Sequence, residues 1–195
     1  MTKHILLVDG HPDRRKGRFI HALTDAYAKG ATEAGHAVRC LVVSELGFPP
    51  MERAEDFNDG KPPPPVRAAQ EAIRWADHVV ILYPLWLGSM PALLKGFLEQ
   101  VMRPGFAFAA GSGRGLPKKL LKGKSARIVV TMGMPAMFYS VVYRAHSLKS
   151  LKRNILAFCG IRPVRTSIIG LVEGQSARAR DAWLRKMEAF GRQGS

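Results

Sequence analysis

Four aliphatic residues in a row, Val79-Val80-Ile81-Leu82, set the first constraint on what this chain can fold into. A run with no polar position does not suit a half-exposed antiparallel strand. It reads as a strand buried on both faces, which requires a parallel sheet with helices packed on each side. Pro84, with no N–H to give a ladder, ends the run, and the indole of Trp86 follows at the strand's end. Ser89 to Pro91 leads into a helix, proline being pre-set for a first turn where its missing donor does no harm. Leu93, Leu94, Phe97, Leu98 and Val101 then recur at helical spacing and give that helix one apolar face.

The same alternation runs through the chain. Ile5 to Val8 predicts a first buried strand ending in Asp9-Gly10-His11-Pro12, and Phe19, Leu23, Ala26, Tyr27 and Ala31 predict a helix closed by Gly35. Ala37 to Val43 predicts a second strand. Residues 47–65 read as a long surface loop in which four prolines, Pro62 to Pro65, favour polyproline II and exclude helix. Val66 to Trp75 predicts the next helix. After a glycine-rich excursion over 109–117, Ala126 to Thr131 is the fourth strand, Ser147 to Phe158 a helix stopped by Gly160, and Arg165 to Leu171 the fifth strand. Ser176 caps a last helix that turns Trp183, Leu184, Met187 and Phe190 inward. Five strands alternating with helices predict an α/β fold. At 195 residues, one domain over 1–195 is expected.

Charge is unevenly placed. Residues 1–109 carry 13 Lys and Arg against 12 Asp and Glu, whereas residues 110–195 carry 17 against 3. The second half is therefore electropositive and attracts anions without choosing among them. It holds no nucleic-acid reading motif, so no specific nucleic-acid partner is expected. No apolar run reaches the ~18–20 residues that cross a bilayer, and the N-terminus lacks a signal peptide's apolar core and cleavage site. Cys40 and Cys159 lie far apart in apolar surroundings, which predicts buried free thiols in a reducing, cytoplasmic setting. Neither cysteine has metal-ligand spacing, so no metal site is expected.

In a doubly wound sheet, ligands bind beyond the C-terminal ends of the strands at the switch point. The turns after strands one, three and four are Gly10-His11-Pro12, Pro84-Leu85-Trp86-Leu87 and Thr131-Met132-Gly133. The first leads to a helix N-terminus, which favours an anion. The second supplies an indole, and the third supplies backbone amides beside a glycine. A planar aromatic ligand with a phosphate tail fits that set, and a flavin nucleotide is the economical candidate. Gly123-Lys124-Ser125 mimics the end of a P-loop, but Lys118 stands where glycine belongs and the triplet precedes a strand. Gly111-Ser112-Gly113-Arg114-Gly115 lacks a strand–turn–helix context.

Leu7-Val8-Asp9-Gly10-His11-Pro12, then Phe19-x-His21-Ala22-Leu23, Tyr83-Pro84-Leu85-Trp86-x-Gly88-x-x-Pro91-Ala92-x-Leu94-Lys95-Gly96 and Pro104-Gly105-Phe106-Ala107-Phe108 closely resemble the NAD(P)H:quinone oxidoreductase family. This is the DT-diaphorase-like branch of the flavodoxin-like flavoproteins. Thr131-x-Gly133, Tyr139, His146 and Phe158-Cys159-Gly160 extend the match over nearly the whole chain.

The resemblance implies a flavodoxin-like three-layer αβα sandwich whose five-stranded parallel sheet has the order 2-1-3-4-5. It implies bound FAD or FMN, NADH or NADPH as cosubstrate, a quinone-like acceptor, a homodimer with the site near its interface, and ping-pong two-electron transfer. By the same analogy His11, Arg18, Phe19 and Ile20 hold the phosphate or pyrophosphate. Pro84, Leu85, Trp86 and Leu87 meet the isoalloxazine ring, and Thr131 and Gly133 face its pyrimidine edge. Tyr139 and His146 fall where the family stabilises charge on the reduced flavin, with Tyr143 competing for the tyrosine role. The chain departs from many relatives in carrying Arg14, Arg15, Lys16 and Arg18 where they have hydroxyls, although arginine also clamps phosphate. An alternative expectation is an ancillary subunit that docks through Arg144, Lys149, Lys152 and Arg153 on an acidic partner, as relatives attached to potassium-efflux systems do.

Overall fold

In a computed structural model of the chain, the structure describes residues 1–15, 17–109 and 115–195. Lys16 and Ala110 to Arg114 lie outside them. The apolar run becomes β3 (His78–Pro84), buried along its whole length. It pairs in parallel with β1 (His4–Asp9) on one side and β6 (Ser125–Thr131) on the other. β2 (Ala37–Val42) and β7 (Val164–Ile169) are the edges, giving the order β2-β1-β3-β6-β7. Counting sheet strands along the chain, this is the expected 2-1-3-4-5. A two-residue antiparallel ladder, β4 (Phe108–Ala109) with β5 (Lys118–Lys119), stands apart from the sheet.

Alternation along the strands fills two cores. Leu6, Val8, Val79, Ile81, Ile128 and Val130 face one side, while Ile5, Leu7, Val80, Leu82 and Val129 face the other. The first side is covered by α3 (Pro64–Trp75), by α4 (Ala92–Val101) and by a helical stretch over 146–159. That stretch comprises α6 (His146–Ser150), a π-helical turn (Leu151–Leu156) and α7 (Ala157–Cys159), ended by Gly160 at φ 106°. The second side is covered by α1 (Phe19–Glu33) and α8 (Ala177–Gln193), and the Ser176 hydroxyl caps α8 by accepting the Ala179 N–H. α1 and α8 cross closely because two glycines meet backbone there. A Cβ on Gly30 would lie 2.0 Å from the Glu188 carbonyl oxygen, and one on Gly191 would lie 2.2 Å from that of Tyr27.

Two expectations are corrected. Helix is not excluded from the proline run: Pro63 is the N-cap of α3, and Pro64 and Pro65 are its first two residues, where no intrahelical N–H is needed. The loop before it carries α2 (Ala54–Asn58) and is pinned by the buried Arg103, whose Nη1 donates to the carbonyls of Asp56 and Gly60 at 2.8 and 2.7 Å. The expectation of two buried thiols holds for Cys159 and fails for Cys40, which is exposed because β2 is an edge strand. Among the described residues no helix is long and apolar enough to cross a membrane, and no three His, Cys, Asp or Glu side chains converge to hold a metal ion.

Candidate functional site

The turns after β1, β3 and β6 open on one cleft of about 510 Å³ at the C-terminal edge of the sheet. Its walls include His11, Arg18, Phe19, Ile20, Pro84, Leu85, Trp86, Thr131 and Gly133. Of the ring- and phosphate-facing residues expected from the sequence, Leu87 is the exception: its side chain stands fully out in solvent.

The first loop is shaped by short side-chain bonds to its own backbone. Asp9 Oδ1 accepts the His11 N–H at 3.0 Å, and His11 Nδ1 accepts the Asp13 N–H at 3.0 Å. An accepting Nδ1 leaves the ring proton on Nε2. His11 is buried, and that burial, then the neighbouring His21, push its pKa below the ordinary value. Asp13 Oδ2 pairs with Arg15 at 2.7 Å and with Arg18 at 2.6 Å. Hydrogen bonds from Arg15 above all hold the Asp13 carboxyl well below the usual carboxylate range. Arg18 is the N-cap of α1 and makes no side-chain cap bond, and the helix start lines the cleft through Arg18, Phe19 and Ile20.

The second turn is held at both ends. Leu85 N–H donates to the Thr131 carbonyl at 2.7 Å, tying β3's exit to that of β6. Trp86 and Ser89 exchange N–H···O bonds of 2.8 and 2.9 Å across Leu87 and Gly88, at φ 46° and 77°. Two left-handed residues in a two-residue loop make a tight turn of the primed kind, natural for glycine and strained for leucine. Trp86 is half exposed, and its ring centroid lies 6.0 Å from that of His11, edge-on.

A model of a family described by its flavodoxin-like fold matches residues 3–190. The chain belongs to that family. An uncharacterised NAD(P)H oxidoreductase of Haemophilus influenzae is 28% identical over 183 residues, 92% of this chain and 89% of the relative. An FMN-dependent NADH:quinone oxidoreductase of Acidobacterium capsulatum is 30% identical over 76% of this chain and 78% of its own length. Among solved structures, Smu.1420 from Streptococcus mutans superposes with a TM-score of 0.82 at 27% identity, covering 97% of this chain and 99% of that one.

In this flavodoxin-like chain, Tyr139 and His146 are not brought to the cleft. Tyr139 lies on α5 (Ala136–Val141) and is 1% exposed, with its hydroxyl 2.7 Å from Ser147 Oγ. His146 is exposed at the start of α6. Tyr143 is half exposed and packs edge-on against Phe138. The short α5 turns its polar-tipped aromatic inward and leaves Met137, Phe138, Val141 and Val142 outside.

Sequence reasoning missed other walls of the flavodoxin-like site. Val172, Glu173 and Arg180 complete the cleft, Arg180 donating to the Val172 carbonyl at 2.9 Å. Val172 and Glu173 lie in the loop after β7, and Arg180 arrives on α8, which packs onto α1 where Gly30 and Gly191 let the backbones meet. A second cavity of about 740 Å³ continues from the cleft, sharing Gly17, Arg18, Phe19 and Arg180 with it. Asp9 and His21 line that second cavity. Both stood in the matched motif without an assigned role.

Proposed function

We propose that this chain is a flavin-dependent NAD(P)H:quinone oxidoreductase that holds FMN or FAD in the cleft between the turns after β1, β3 and β6. The observation that carries the reading is the convergence of an uncapped helix N-terminus, with Arg18 beside it, and an aromatic turn on one cleft at the switch point. A cleft of about 510 Å³ is of a size for a nucleotide-like ligand. The name of the Acidobacterium relative supports FMN, NADH and quinone. The contiguous second cavity leaves room for the adenylate half of FAD.

The residues present fit such a group. The first N–H groups of α1 and the Arg18 guanidinium meet the phosphate, as a helix start and a cation do for anions generally. Pro84, Leu85 and Trp86 flank the ring on one side of the cleft, and Thr131 and Gly133 offer backbone on the other. His11 presents a neutral ring whose Nε2–H is a donor at the cleft wall. When bound, the flavin supplies two-electron chemistry between a reduced nicotinamide and a quinone. The protein's share is to hold the ring between these walls and to offer donors toward charge that grows on it.

The reading includes a homodimer. Met137, Val141, Val142 and Tyr143 are exposed apolar side chains on and just after α5, and Trp86 and Leu87 are exposed at the cleft. Patches of this kind mark contact surfaces. A cytoplasmic location goes with the nicotinamide cosubstrate. The test is equilibrium binding of FMN and FAD to flavin-stripped protein, followed by quenching of flavin fluorescence. One flavin per chain is expected, and absence of binding by either overturns the reading.

A further inference from the structure

We infer that His21 is a positioning residue for the anion loop: its ring, protonated on both nitrogens, bridges Asp9 at the end of β1 to the carbonyl of Asp13, and phosphoryl affinity falls when the ring loses a proton. The inference rests on the flavin reading only for the identity of the phosphoryl ligand.

Geometry makes the case. His21 Nδ1 lies 2.6 Å from Asp9 Oδ2, and Nε2 lies 2.9 Å from the Asp13 carbonyl oxygen. A carbonyl oxygen only accepts, so Nε2 donates. A carboxylate likewise only accepts, so Nδ1 donates as well. Both partners are satisfied at once only by the imidazolium. The side chains of His21 and Asp9 are 20% and 3% exposed, so solvent and salt screen the pair only weakly. Asp9 Oδ1 meanwhile fixes the His11 N–H, and the Asp13 carboxylate holds Arg15 and Arg18. One ring therefore ties the strand end to the loop that carries the cleft's guanidinium groups.

Burial pulls the His21 pKa down. The bonds to Asp9 and to the Asp13 carbonyl, with the charges of Asp9 and Asp25, outweigh it and raise the pKa above the ordinary value. Glu45 after β2 and Asp181 on α8 line the same cavity, opposed by Arg14, Arg18 and Arg180. Arg14 is spent on the Ser44 carbonyl. His11 gives up its proton below the ordinary histidine value, burial and then His21 lowering its pKa. Cys40, an exposed residue whose sulfur is nonetheless largely covered at this cavity, has its thiol pushed up to about 11 by that desolvation. For a histidine whose folded pKa is raised, the brace is complete below the ordinary pKa and is lost as pH rises through the folded one. The phosphate of FMN loses its second proton near pH ~6 and so gains charge over the same rise. A fall in its affinity therefore runs against the ligand's own titration.

The experiment measures FMN and riboflavin binding from about pH 6 to about pH 9 for the wild type, His21→Gln and Asp9→Asn, with His21 ring shifts followed by NMR. In the wild type, FMN affinity is expected to fall about tenfold across the His21 titration while riboflavin affinity stays flat. His21→Gln keeps a donor for Asp13, and its FMN affinity starts at the weak limit and no longer falls as pH rises. Asp9→Asn moves the His21 midpoint to lower pH and carries the midpoint of the FMN affinity fall with it, a coupling that a purely structural role would not produce. Equal pH dependence for riboflavin and FMN, or wild-type pH dependence in His21→Gln, overturns the inference. If neither flavin binds at any pH, the cofactor reading falls and inorganic pyrophosphate serves as the probe of the brace. Protection against thermal unfolding by pyrophosphate that weakens with pH only when His21 is present supports the brace. No such dependence overturns it.

Discussion

The hydroxyl of Tyr139 sits 2.7 Å from Ser147 Oγ and accepts the backbone N–H of Leu148 at 3.2 Å, so one phenol fastens α5 to the first turn of α6. This is a buried hydrogen-bond role, away from the cleft wall. Tyr139→Phe should cost about 1–2 kcal/mol by leaving Leu148 and Ser147 short of a partner. In a chain of this length that lowers Tm by about 2–8 °C. Turnover with NAD(P)H and a quinone should stay within about threefold of wild type. A hundredfold loss of turnover at unchanged Tm would instead place Tyr139 in the reaction.

Arg18 separates phosphate recognition from ring recognition. It lines the cleft beside the first N–H groups of α1. Arg18→Ala should weaken FMN about tenfold and leave riboflavin unchanged, since only FMN carries the group a guanidinium clamps. Fluorescence quenching at two salt concentrations checks it, because the lost contribution is electrostatic and shrinks with salt in the wild type.

Gly30 controls how closely α8 approaches α1. Alanine at a helical position gains about 1 kcal/mol in propensity over glycine. Here the added methyl would meet the Glu188 backbone at 2.0 Å, and overpacking against backbone costs about 1–3 kcal/mol or more. The clash wins, and Gly30→Ala should lower the urea midpoint at unchanged m. It should also weaken FMN binding, since the crossing sets Arg180 at the cleft. A raised midpoint would show that the helices slide apart freely.

His78 makes the fold acid-sensitive. It is 1% exposed, with Nδ1 2.7 Å from Ser125 Oγ, and burial pushes its pKa down to about 3. Lys3, Arg127 and Arg165 act in the same direction. The unfolded chain binds a proton near pH 6.5 while the folded one does not until about 3, so stability is complete above 6.5 and lost as pH falls. At about 1.4 kcal/mol per pH unit, up to about 3 kcal/mol is lost between about pH 6.5 and pH 4. His78→Gln should flatten that slope in urea titrations. An equal slope in both proteins would exclude His78 as its source.

Much of the frame was legible because it rests on short-range pattern. The unbroken aliphatic run over 79–82, the Ser176 cap and the stop at Gly160 each reflect a local rule, and each element formed where that rule put it. The proline run misled because a proline that excludes a helix interior also suits a helix start, and only the packing of α3 decides between them. The three turns of the cleft were readable from strand order alone. Tyr139 was not, because the direction of a side chain on a six-residue helix depends on a hydroxyl partner eight residues away. Arg180, Asp9 and His21 were missed because helix crossing and loop closure, not spacing, bring them to the site.

The central claim is that the cleft holds a flavin competent in two-electron exchange, and an anaerobic absorbance titration tests it most directly. Protein loaded with FMN or FAD is given one equivalent of NADH or NADPH and then one equivalent of a quinone. The account predicts that the flavin band bleaches fully with the nicotinamide and returns fully with the quinone. A bound flavin that dithionite reduces but neither nicotinamide bleaches would contradict it.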